Sequence, residues 1–99
     1  MTHAIRLANL QKIHSEKAPQ IIRLASDANI PNRHKQLIYG CLNNLCQISA
    51  RLFGDLSSVP GNYDLLEQAA ELDKALLQLR SLVGSQISVR VQPGLQQAA

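Results

Sequence analysis

Residues 62–83, NYDLLEQAAELDKALLQLRSLV, decide the fold. Leu65, Ala69, Leu72, Leu76, Leu79 and Val83 recur at spacings of four and three. This puts all six side chains on one stripe of a helix. The pair Pro60-Gly61 forms a turn before it, and Asn62 is placed to cap the helix start. A helix of this length is marginal alone in water, so the stripe calls for other helices to cover it.

Two further helical segments lie upstream. The first spans about Ala4 to Ser26, with Leu7, Leu10, Ile13, Ile21, Leu24 and Ala28 on one face if it is continuous. Pro19 interrupts it, since proline donates no backbone bond and crowds the carbonyl of Ser15. The expectation is a kink near residues 15–19. His14 and Lys17 fall on the same apolar face, either turned toward water by the kink or lining a site.

Residues 26–32 read as a loop. The second helix begins between Pro31 and Arg33, with Asn29 or Asn32 as cap, and runs to Phe53 or Leu56, with Gly54 as a candidate C-cap. Its main apolar stripe is Leu37, Ile38, Cys41, Leu45, Ile48 and Leu52. A second stripe holds Tyr39, Cys46 and Phe53, with Leu42 between the two. The combined arc of about 200° exceeds what one core contact needs. The helix is therefore central to the bundle, or its second seam meets another subunit.

After Gly84 the pattern changes. Ile87, Val89 and Val91 alternate with polar residues, as in a strand, though no second strand exists to pair with it. The sequence thus predicts an all-α, three-helix antiparallel bundle over residues 1–84, with the first helix kinked at Pro19. An extended or strand-like C-terminal arm and tail fills 85–99.

Composition narrows the function. The 99 residues suit one modest core, and at 3% aromatic content that core is aliphatic. So few aromatic rings argue against stacking on single-stranded nucleic acid. The N-terminal residues lack the apolar run of a secretory signal and no stretch reads as a membrane span, so the expected location is cytoplasmic. Cys41 and Cys46, about 140° apart around one helix, cannot bridge to each other and are expected as free thiols.

No catalytic constellation is present. His3, His14 and His34 show no metal-ligand spacing, and there is no glycine-rich phosphate loop. No enzymatic activity, cofactor, metal or small-molecule substrate is expected.

The net charge of +3 is unevenly spread. The first 40 residues are basic, whereas Asp64, Glu67, Glu71 and Asp73 make the start of the third helix acidic. Complementary packing between helices explains this asymmetry. A basic face for an anionic partner is the rival explanation, using Arg6, Lys12, Arg23, Arg33, His34 and Lys35. Three of these fall at the start of the second helix, where backbone N–H groups and positive charge together favour an anion, unless the helix begins later. A helix-turn-helix does not fit, because the second helix is too apolar to present polar side chains to base edges.

The expected function is therefore a small non-enzymatic regulator or adaptor that binds another protein, as a homodimer. Its interface residues are Tyr39, Leu42, Cys46 and Phe53 on the second seam, with Ile87, Val89 and Val91 on an arm able to extend a partner's sheet. The alternative is a nucleic-acid-binding regulator using the basic residues above.

Overall fold

In the computed structural model the backbone is described for residues 2–98 and the side chains for residues 2–87. Three helices, α1 (His3–Ser26), α2 (Asn32–Ser57) and α3 (Tyr63–Ala98), follow one another through the short turns 27–31 and 58–62. No strand occurs among the described residues.

Three side-chain links fix the helix directions. Arg6 Nη1 donates to Asp55 Oδ2 at 2.9 Å, joining the start of α1 to the end of α2. Arg80 Nη1 donates to Asn43 Oδ1 at 2.9 Å, joining the middles of α3 and α2. Gln11 Nε2 donates to Gln68 Oε1 at 3.2 Å, joining the early turns of α1 and α3. Helix α2 is therefore antiparallel to α1 and α3, which run alongside each other. The α2–α3 contact is the most extensive, and α1 is held more lightly.

The heptad of α3 performs as the sequence requires. Ala69, Leu72, Leu76, Leu79 and Val83 are buried, and Leu65 packs at their edge. They meet Leu42, Cys46, Leu52 and Leu56 of α2 in two clusters along the bundle. One cluster takes in Leu7 and Leu10 from α1, and the other takes in Ala25.

The helix ends correct several expectations. Thr2 Oγ1 caps α1, accepting from the Ile5 N–H at 3.2 Å. Pro31 occupies the N-cap of α2 without a capping side chain; Asn29 instead donates its backbone N–H to Asp27 Oδ1 at 2.8 Å. Gly54 is not a cap, because α2 continues to Ser57. The freed carbonyls there are satisfied by hydroxyls: Ser57 Oγ donates to Phe53 O at 2.8 Å and Ser58 Oγ to Gly54 O at 3.0 Å. The chain reverses at Gly61, whose φ of 93° lies in the left-handed region, as a Pro-Gly turn demands. Asn62 then starts α3, its carbonyl accepting from Leu66 N–H at 2.8 Å.

Helix α1 is assigned without interruption through Pro19. Ser15, whose carbonyl loses its donor to proline, is exposed, so water can satisfy it. Ser85, Gln86 and Ile87 are helical and continue α3, correcting the extended reading at that point. Ile87 packs on the cluster of Ala25, Leu42, Leu79 and Val83. The strand period over hydrophobic positions 87, 89 and 91 thus begins inside a helix. The side chains of Val89 and Val91 lie outside the described residues.

Candidate protein-binding groove

The structure divides both apolar stripes of α2 rather than burying one and freeing the other. Leu42 and Cys46, assigned to the second seam, are 1% and 5% exposed and sit in the core against α3. Phe53 packs beside the same core, and Tyr39 lies over Gly84 of α3, whose added Cβ would meet the ring at 3.0 Å. This seam is therefore a contact within one chain. On the stripe assigned to the core, Leu52 is 1% exposed and Ile38 and Leu45 pack against the core, but Leu37 is 65% and Ile48 46% exposed, and Cys41 is exposed too. The physical reason is competition for one 200° arc. The α3 heptad claims the sector holding Leu42, Cys46, Leu52 and Leu56, while α1 covers only part of the sector beyond it.

The uncovered sector forms a groove of about 350 Å³ between α1 and α2. Lys17 and Ile21 line it from α1, and Leu37, Ile38, Cys41, Leu42 and Leu45 from α2. The Arg6–Asp55 pair sets the register of the two helices. Ile13 and Leu24 of α1 and Ile48 of α2 are exposed as well. Sequence reading placed these residues in the core. Lys17 was the signal that its face opens to water, because an ammonium in the middle of an aliphatic stripe needs a solvated end.

The six basic residues proposed for an anion site are divided by the fold. Arg6 is engaged with Asp55. Helix α2 does begin at Asn32, which places Arg33, His34 and Lys35 in its first turn. Their side chains separate, however: Lys35 is 4% exposed on the core side, whereas Arg33 and His34 are exposed. Lys12 and Arg23 are exposed on α1, away from that turn. A depression between α1 and α3 is lined by His14, Ala18, Ile22, Ala75, Gln78, Leu79 and Leu82, with His14 its one ionisable group.

The two cysteines are free, Cys41 exposed and Cys46 buried. Burial pushes the Cys46 thiol up from its ordinary value; the positive charge of Arg80 opposes the shift and the negative charge of Asp73 adds to it. Among the described residues no group of three or more His, Cys, Asp or Glu side chains is placed to hold a metal. No helix among them is long and apolar enough to cross a membrane. Comparison with known proteins gives no match: neither a family model nor a curated protein nor a solved structure corresponds to this chain.

Proposed function

We propose that this chain is a small non-enzymatic regulator or adaptor that acts by binding another protein in the α1/α2 groove. One observation carries the reading: an apolar groove left open between α1 and α2, with Leu37 of its lining 65% exposed. Scattered exposed apolar residues are ordinary, but a contiguous set rimmed by polar side chains marks an interaction surface. The free thiols fit a reducing compartment such as the cytoplasm.

Nucleic-acid binding is the second reading, supported by exposed Lys12, Arg23, Arg33 and His34. Their dispersal over two helices makes it the weaker one, since phosphate affinity grows with the number of cations acting together.

The test is capture from nuclease-treated extract with three baits: the wild-type chain, the groove variant Leu37→Asp, and the α3 control Leu77→Asp. The expected result is a protein retained by the wild type and the control and lost with the groove variant. Nucleic acid recovered from untreated extract, released in moderate salt and indifferent to the groove variant, refutes the proposal.

A further inference from the structure

We draw no further inference here: the strongest candidate, the apolar groove between α1 and α2 lined by Lys17, Leu37 and Cys41, is a face for which nothing in the structure shows what covers it.

Discussion

Truncating two leucines, five residues apart on α2, tests the orientation of that helix. Leu42 is 1% exposed and sits among Ala25, Leu79 and Val83; Leu37 is 65% exposed at the groove mouth. Leu42→Ala removes buried methyl groups and leaves a cavity that surrounding helices fill only in part, at a cost of about 3 kcal/mol. Domains of this size have a total stability of roughly 5–15 kcal/mol, so the loss is severe but survivable. It lowers Tm by roughly 12–24 °C. For Leu37 the folded state covers about a third of a side chain whose full burial contributes about 1.5–3 kcal/mol. Leu37→Ala therefore costs about 0.5 kcal/mol, or a few degrees. Thermal and urea unfolding monitored by circular dichroism measure both, at two protein concentrations so that self-association shows as a concentration-dependent Tm. Equal losses for the two variants at every concentration refute the reasoning. They mean that α2 turns its Leu37–Cys41–Ile48 stripe into the core.

Further expectations follow from the backbone, a buried thiol and the loosely held helix. Gly40 and Gly54 lie inside α2 with open space where a Cβ would stand, so Gly40→Ala and Gly54→Ala should each raise stability by about 0.5–1 kcal/mol in urea unfolding. Gly61→Ala, at φ 93°, should instead lower it by about 1 kcal/mol, despite equally open surroundings. Below the ordinary thiol value of 9.0, Cys46 is protonated in both folded and unfolded chains and gives no slope with pH. Above it the unfolded chain loses the proton first, so stability falls as pH rises toward the elevated folded value. Alkaline unfolding curves for wild type should show this fall, and Cys46→Ala, less stable at neutral pH by about 1 kcal/mol, should lack that part of it. Amide hydrogen exchange should be faster in residues 11–24 of α1 than in the central turns of α2, because none of those α1 side chains is fully buried.

The helices were legible because each carries its own periodicity and punctuation. The α3 heptad predicted its buried face residue by residue, and Pro60-Gly61 predicted the turn that Gly61 makes. What sequence left open was rotation. Helix α2 has apolar residues over an arc wide enough to bury either stripe, and no local property distinguishes Leu37 from Leu42. The choice is made by α3, whose heptad selects the line through Leu42, Cys46, Leu52 and Leu56, a tertiary effect that intrinsic preference does not encode. The period-two signal at Ile87 failed for a related reason: α3 continues through Gly84, and burial against Ala25 and Val83 rewards the helical position of Ile87. The groove was likewise hidden, because its lining reads as core until the rotation of α2 is known.

The groove itself follows from an imbalance among the three helices. Helices α2 and α3 make the most extensive contact, through two clusters of mainly leucine side chains, and α1 adds fewer residues to each. Helix α1 contributes buried Leu7 and Leu10 near one end and Ala25 at the other. Between these fastenings lie His14, Lys17 and exposed Pro19, residues that a helix packed along its whole length would replace with aliphatic side chains. Filling those positions with leucine would close the bundle and leave no accessible apolar surface. Of this middle, Ala18 and Ile21 pack against the core, while Ile13 and Leu24 stay exposed, as do Leu37, Cys41 and Ile48 of α2. Part of the stabilisation that a fully packed third helix would supply is thereby missing, and the groove between α1 and α2 is the surface that its absence leaves uncovered.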